Sequence, residues 1–278
     1  MTRYRKKIDR TALILIPVLA LVVIAAFGGL WWLVGGPSVY EGVNTDTFCR
    51  TTGKRSITVV VIDATDPFTP EQSQRLLSEL KVLRDSVPRF DAIEIFAIDS
   101  SKPGGVSAPL LKACNPGRAE EADKFRENAR IVAKKYENLF DKPFRSALDE
   151  VLASATQERS PILEGIENAT VQAFGTSNGD PELSKRLVVI SDMLQNTEDL
   201  SFYNGGIPTF PNFKDSNAYR LHRPMLSGVT VSVWEINRAN RNVKAGKLRR
   251  SEVAKFWTDY FTDEGATLSD AFWDATKI

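Results

Sequence analysis

The feature that most constrains this chain is an uncharged apolar run, Thr11 to Val34. It is closed by Gly35-Gly36-Pro37 and preceded by Arg3, Arg5, Lys6, Lys7 and Arg10 against one acid, Asp9. As a helix the run is about 36 Å long, enough to cross a hydrocarbon core of about 30 Å with some tilt. An uninterrupted apolar stretch of this length with a basic flank is rarely a soluble core helix. Pro17 falls in the first two turns, where a bend is tolerated without ending the span. Trp31 and Trp32 stand at the far end, where amphipathic rings favour the membrane interface. A cleaved signal peptide would have an apolar region of roughly 7–15 residues and small residues at its cleavage site, where this chain has the tryptophan pair. Basic flanks stay on the cytoplasmic side. The chain therefore reads as a cytoplasmic basic tail (1–10), a transmembrane helix (11–34), a juxtamembrane connector (35–55) and a folded domain (56–278). The expected place is an inner (cytoplasmic) membrane, crossed once, with the bulk of the chain periplasmic or extracytoplasmic.

About 240 residues beyond the anchor suffice for one domain with a full core. Charge is nearly balanced, with 36 basic and 35 acidic residues, and five of the basic ones lie in the tail. No field of one sign argues for nucleic acid. A single histidine, His222, leaves little material for histidine-based triads, metal sites or general-base chemistry. Cys49 and Cys114 both lie in the outer part. An oxidising compartment permits a bridge between them, and two buried thiols are the alternative.

Short β-branched runs alternate with helical periods. Ser56 to Asp63, Ala92 to Ile98 (followed by Asp99), Arg186 to Asp192 and Val229 to Ile236 read as strands buried on both faces. Val106 to Ala113 reads as a shorter one. Thr69 and Pro70 supply an N-cap and a first position for a helix to about Ser86, with Leu76, Leu77, Leu80 and Leu83 as its stripe. Residues 118–158 are strongly helical, in two pieces broken near Asp141-Lys142-Pro143. Ser160-Pro161 looks like the N-cap and first position of a helix to about Phe174, and another helix runs from about Leu248 to Phe261. Residues 196–226 are irregular, and the tail from Gly265 packs back onto the body. The pattern predicts an α/β fold with a doubly wound, mostly parallel sheet. In such sheets ligands gather at the carboxyl ends of the strands, where Asp63 and Asp192 fall.

At these residues the chain resembles a von Willebrand factor A (vWA) domain. Asp63-Ala64-Thr65-Asp66-Pro67 stands where that family has Asp-x-Ser-x-Ser, Ser160 is the candidate for its later Thr, and Ile190-Ser191-Asp192 matches its Ile-Ser-Asp segment. The likeness spans residues 56 to about 264. It implies a metal-ion-dependent adhesion site holding Mg²⁺ or another divalent cation through Asp63, Thr65, Ser160 and Asp192, with Asp66 as a nearby substitute. Pro67 departs from the pattern, because it supplies no hydroxyl to an ion that wants oxygen ligands. The alternative is that these groups only cap helices and tie loops together. The family fold also implies that Cys114 ends a short antiparallel edge strand close to where the first strand begins, beside Cys49.

Asp63 after a strand is also similar to the nucleophile loop of haloacid-dehalogenase-like phosphotransferases. That chemistry needs an acid two residues later, and Thr65 stands there. Gly104-Gly105 and Gly205-Gly206 lack phosphate-loop spacing. Asn168-Ala169-Thr170 is a sequon inside a predicted helix. The run Arg238 to Arg250 reads as a solvated loop and helix start, or as a surface for an anionic partner or lipid headgroups. Phe202, Tyr203, Phe210 and Phe213, with Asp66, are candidate partner-contact residues, and the aromatics would serve equally as the loop's own core. The expected function is a membrane-anchored vWA-like protein-binding module, a scaffold or assembly factor of the cell envelope, its partners in or near the membrane. The alternative is a metal-assisted or Asp-nucleophile hydrolase using the same crevice.

Overall fold

A computed structural model describes residues 10–35, 38–106, 108–153, 156–175, 180–203, 206–238 and 249–278. The basic tail up to Asp9, Gly205 and most of the 238–250 run lie outside them.

Helix α1 (Arg10–Gly35) carries Pro17 internally, and its stretch Ile14–Trp31 is apolar and unburied by the domain, long enough to span a membrane. The outer domain is one six-stranded sheet made of β1 (Arg55–Asp63), β2 (Ala92–Ile98), β3 (Leu111–Cys114), β4 (Leu183–Ser191), β5 (Val229–Glu235) and β6 (Thr267–Asp274). Its order is β3-β2-β1-β4-β5-β6, with β3 antiparallel to β2 and every other pair parallel. That is the order of a doubly wound sheet, with its switch point between β1 and β4. The sequence-based count lacked β6: the tail does not merely pack back but pairs with β5, through a bulge between Val231 and Val233. Its strand alternates weakly and stays half exposed, as an edge strand does.

The two sheet faces are covered separately. Val59, Val61, Leu187, Val189, Val231 and Val233 face a core built on α5 (Ile162–Phe174) and α8 (Arg250–Asp263). Val60, Ile62, Ile93, Ile95, Val188 and Ile190 face α2 (Pro70–Ser86) and α4 (Lys142–Leu152). Alternate residues of each central strand thus bury on opposite faces, which is why the strands read as continuous apolar runs. Helix α2 begins as expected, with Thr69 and Gln72 forming a reciprocal capping box and Pro70 at the first position.

Three local expectations are corrected. The break expected at Asp141-Lys142-Pro143 is absent: α3 (Ala129–Tyr136) runs through a π-turn over Glu137–Asp141 into α4, and the widened turn, where the Lys142 amide reaches back to Glu137 O, lies directly ahead of Pro143, which lacks an N–H for the helical ladder. Residues 118–128 form no α-helix: they hold a 3₁₀ turn, Ala119–Glu121, and a hydrogen-bonded turn closed by the Glu127 amide on Asp123 O at 3.0 Å. Val106 belongs to the core, so the edge strand is only Leu111–Cys114.

The connector is built onto the amino end of the sheet. Cys114 is paired with Ala92, the first residue of β2, and is bridged to Cys49 across a sequence separation of 65. Tyr40, Phe48 and Phe90 pack together beside the bridge, with Lys135 over Phe48 at 4.6 Å and Arg89 over Phe90 at 4.6 Å. The Tyr40 hydroxyl donates to Glu127 Oε1 at 2.7 Å, and Arg89 grips both Glu127 oxygens at 2.6 and 2.9 Å. The connector is therefore part of the domain from about Tyr40 onward, not a loose tether.

Two outcomes follow. Closing so long a loop should stabilise the folded chain by about 4 kcal/mol in the chain-entropy model. Cys49→Ser with Cys114→Ser should therefore shift the denaturation midpoint down by that free energy, measured on the full chain in detergent. Arg89 and Tyr40 hold the Glu127 carboxyl down to about 2 despite its burial. A depressed folded-state pKa gives stability that is complete above the ordinary range near 4.5 and lost as pH falls toward 2. Glu127→Gln should remove roughly 2–3 kcal/mol at neutral pH and flatten that acid limb of the stability curve.

Candidate functional site

The site lies at the carboxyl ends of β1 and β4, the switch point of the sheet. Asp63 closes β1 and is fully buried. Its Oδ1 accepts from Thr65 Oγ1 at 2.6 Å and from the Thr65 amide at 3.1 Å, a turn the Asp-x-Thr spacing makes possible. Its Oδ2 accepts from Ser191 Oγ at 2.8 Å, from Arg238 Nη1 at 3.1 Å and, at a long 3.5 Å, from Ser160 Oγ. Arg238 Nη2 also donates to the Asp63 carbonyl at 2.8 Å. Burial alone would push the Asp63 carboxyl up. The Arg238 charge and the Thr65 and Ser191 hydrogen bonds outweigh it and hold the group below the ordinary carboxylate range.

Arg238 is the centre of this arrangement. Its guanidinium is 8% exposed, and Nη1 lies 3.1 Å from Asp63, 3.5 Å from Asp66 and 3.7 Å from Asp192. The Phe68 ring lies under it at 5.9 Å. Its Nε is buried without a hydrogen-bond partner. The residue is placed by the end of β5, where the Ile236 amide donates to Ser191 O at 3.0 Å and Gln72 Nε2 to Asn237 O at 2.8 Å. Asp192 is buried too. Burial first, then the charges of Asp63 and Asp66, push its carboxyl up to about 7 against the opposing pull of Arg238.

The loop after β4 is held in an unusual shape. Met193 has φ of 59°, the left-handed region that L side chains rarely adopt. Its amide donates to Ser191 Oγ at 2.8 Å, and its carbonyl accepts from Trp257 Nε1 at 2.9 Å. Buried Gln195 ties this loop to α5: Oε1 accepts from the Leu163 amide at 2.9 Å, and Nε2 donates to Glu164 at 3.0 Å.

Of the expected ion ligands, Asp63, Thr65 and Asp192 converge, and Ser160 lies at the margin. Ser160 is not the helix cap: α5 starts at Ile162 behind Pro161, and Ser160 instead pairs with Asn196 as an isolated antiparallel bridge. Asp66 joins the cluster through Arg238. Asp99, the other strand-end acid, is held apart by Gln157, whose Nε2 donates to it at 3.0 Å. Phe202 and Phe213 are each 1% exposed, in an aromatic core with Phe256, and Phe210 packs partly buried against the same core. Phe202 and Phe213 thus serve as the core of the 196–226 segment, the second of the two roles open to them, while Phe210 keeps part of its ring exposed. Short helices at Phe210–Lys214 (α6) and Asn217–Leu221 (α7) make that segment less irregular than expected. Tyr203 is 40% exposed, and the nearby Asp192, Asp66 and Asp63 charges add to its burial in raising its phenol. Beside Ser160 opens a polar cleft of about 540 Å³, lined among others by Arg159, Asn196, Glu198 and Asp199.

The donor set does not fit a divalent ion as it stands. Thr65 and Ser191 spend their hydroxyls on Asp63, Pro67 brings none, and a guanidinium already sits among the carboxylates. Arg238 was missed in the sequence because it opens a basic run that resembles a solvated loop. The available signal was position: it is the first charged residue past the carboxyl end of β5.

Fold and site together define the class: a doubly wound α/β domain with an acid cluster at its switch point, a vWA-like arrangement with the antiparallel edge strand the resemblance implied. No family model and no curated protein matches the chain. Among solved structures it is similar to a von Willebrand factor type A protein from Catenulispora acidiphila (13% identity, 78% of this chain and 39% of that one, TM-score 0.37). It is also similar to an aerotolerance-related membrane protein from Bacteroides fragilis (13%, 77% and 92%, 0.30). A third is proximal thread matrix protein 1 of the mussel byssus (13%, 79% and 45%, 0.38). The chain thus spans less than half the length of the first and third of these.

Breaking one side of a buried ion pair leaves the other charge uncompensated, at a cost of about 3–5 kcal/mol. Asp63→Ala and Arg238→Ala should each destabilise the domain on that scale. The double variant should cost clearly less than the sum, as a double-mutant cycle in urea would show.

Proposed function

We propose that the chain is a membrane-anchored vWA-like module that holds a protein partner at the carboxyl ends of its strands, as a scaffold or assembly factor of the cell envelope. The observation that carries this reading is the saturation of Asp63. Both of its oxygens are engaged by side chains of the same chain, and the group is fully buried. A nucleophile or general base needs a free lone pair within reach of a substrate. The engagement of this carboxylate supports a binding role over the Asp-nucleophile form of the hydrolase alternative. What the face does offer is surface chemistry for recognition: half-exposed Tyr203, Asp66 beside it in the cluster, and the polar cleft along Asn196, Glu198 and Asp199.

The same observation bears on the metal. Arg238 supplies a positive charge within 3.1–3.7 Å of each of the three carboxylates. Partner capture is therefore expected to proceed without Mg²⁺ or another divalent cation.

The test is photocrosslinking in native membranes, with the crosslinking amino acid placed at Tyr203. A discrete adduct should form, unchanged by EDTA and weakened about tenfold by Glu198→Arg, which reverses the charge the face presents to a basic group of the partner. Absence of any adduct would overturn the binding face. An adduct lost on chelation and restored by Mg²⁺ would overturn the metal-free reading while leaving the face intact.

A further inference from the structure

The amino end of the sheet carries a surface that neither the fold nor the proposed binding face uses. Phe125 is 81% exposed, the most exposed side chain among the domain's large apolar residues that are described, and Ile131 nearby is 55% exposed. The same stretch of chain carries Lys124, Arg126, Arg130 and Lys134, all exposed. Two acids of this stretch are spent within it: Asp123 Oδ1 accepts from the Phe125 and Arg126 amides at 2.8 and 2.9 Å, and Glu127 is held by Arg89 and Tyr40. Glu120 and Glu121 stay exposed on the preceding turn, where Glu121 accepts from the Arg118 amide at 2.6 Å. An aromatic ring presented to solvent on a hydrogen-bonded turn, among cations, is not explained by packing.

Connectivity says what lies opposite. Tyr40 is five residues beyond Gly35, the end of α1, so their Cα atoms are at most about 17 Å apart however the chain runs. The Tyr40 hydroxyl is bonded to Glu127, two residues from Phe125. With the aromatic collar and the Cys49–Cys114 bridge holding the connector to the domain, this end cannot move far from the bilayer in which α1 sits. Aromatic rings and basic side chains together suit the headgroup layer: the ring favours the interface, and the cations favour anionic lipid.

We propose that the Lys124–Lys134 surface is a second membrane contact, in which Phe125 enters the headgroup layer of the outer leaflet and the neighbouring cations meet lipid phosphates. It rests on the anchor and not on the partner-binding face. The contact fixes the tilt of the domain, so that the Asp63 end points away from the membrane.

The native cysteines are bridged, so one introduced cysteine takes a label selectively. The full chain carrying Ile131→Cys, labelled with an environment-sensitive fluorophore, is placed in nanodiscs of zwitterionic lipid with and without anionic lipid. Nitroxide lipid labelled at headgroup depth should quench this probe several-fold more than the same probe at Glu198→Cys, on the opposite end of the sheet, and more strongly when anionic lipid is present. Adding Phe125→Asp should return the Ile131→Cys quenching to the level at Glu198→Cys. Equal quenching at the two positions, or quenching indifferent to Phe125→Asp, would overturn the proposal. The nanodiscs contain only lipid and this chain, so a surface reserved for a protein partner would also read as equal quenching. Failure of the anchor itself would appear separately, as failure to enter nanodiscs at all.

Discussion

The ion pair between Asp63 and Arg238 is the interaction on which the outer end of this domain depends. It joins the end of β1 to the segment leaving β5, across the β4 end that lies between them, and it does so where water is nearly excluded. In that setting a carboxylate keeps its charge only if a cation and several donors face it. Thr65, Ser191 and the guanidinium meet that requirement, and each is thereby fixed in place. The loop after β4, with Met193 in a left-handed conformation, is then held between the Ser191 hydroxyl and Trp257. A strained turn of this kind costs on the order of 1–3 kcal/mol and persists only where its surroundings over-determine it.

The opposite end of the sheet is built on a different principle. There the chain is held by a covalent bridge, an aromatic cluster and the Arg89–Glu127–Tyr40 contacts. β1 has nine residues, so the two ends stand on the order of 25 Å apart. The anchor side is rigid from about Tyr40, and the acid cluster lies at the far side. The base of the domain and the cleft beside the acid cluster therefore lie at opposite ends of the sheet, which is the geometry the proposed partner-holding role draws on.

Most of the fold was legible because buried parallel strands and capped helices leave strong local marks. The Val-rich run before Asp63, the Thr69-Pro70 start and Leu76, Leu80 and Leu83 of the α2 stripe sit where the sequence places them, whereas Leu77 is exposed and the buried face is completed by Arg84. β6 was not legible: an edge strand buries one side only and takes its order from the partner beside it. Nor was the 196–226 segment, where Phe202 and Phe213 could serve a surface or a core until α8 was seen to pack on them. Of the site, Asp63, Thr65 and Asp192 were visible as strand-end polar groups. Ser160 was visible but mis-assigned, because a Ser-Pro pair before a helix is the same string whether or not the serine caps it.

The sequence by itself determined the anchor, the alternation of strands and helices, and the identity of the acids at the strand ends, since each is written in residues close together in the chain. Only the tertiary structure decided what those acids face. Arg238 is 175 residues from Asp63, and in the sequence it is one cation at the edge of a basic run. The order of the sheet brings the end of β5 back beside β4 and β1, and burial there makes a guanidinium the partner that Asp63 requires. Long-range charge pairing of this kind leaves no local periodicity, so no reading along the chain could have placed it.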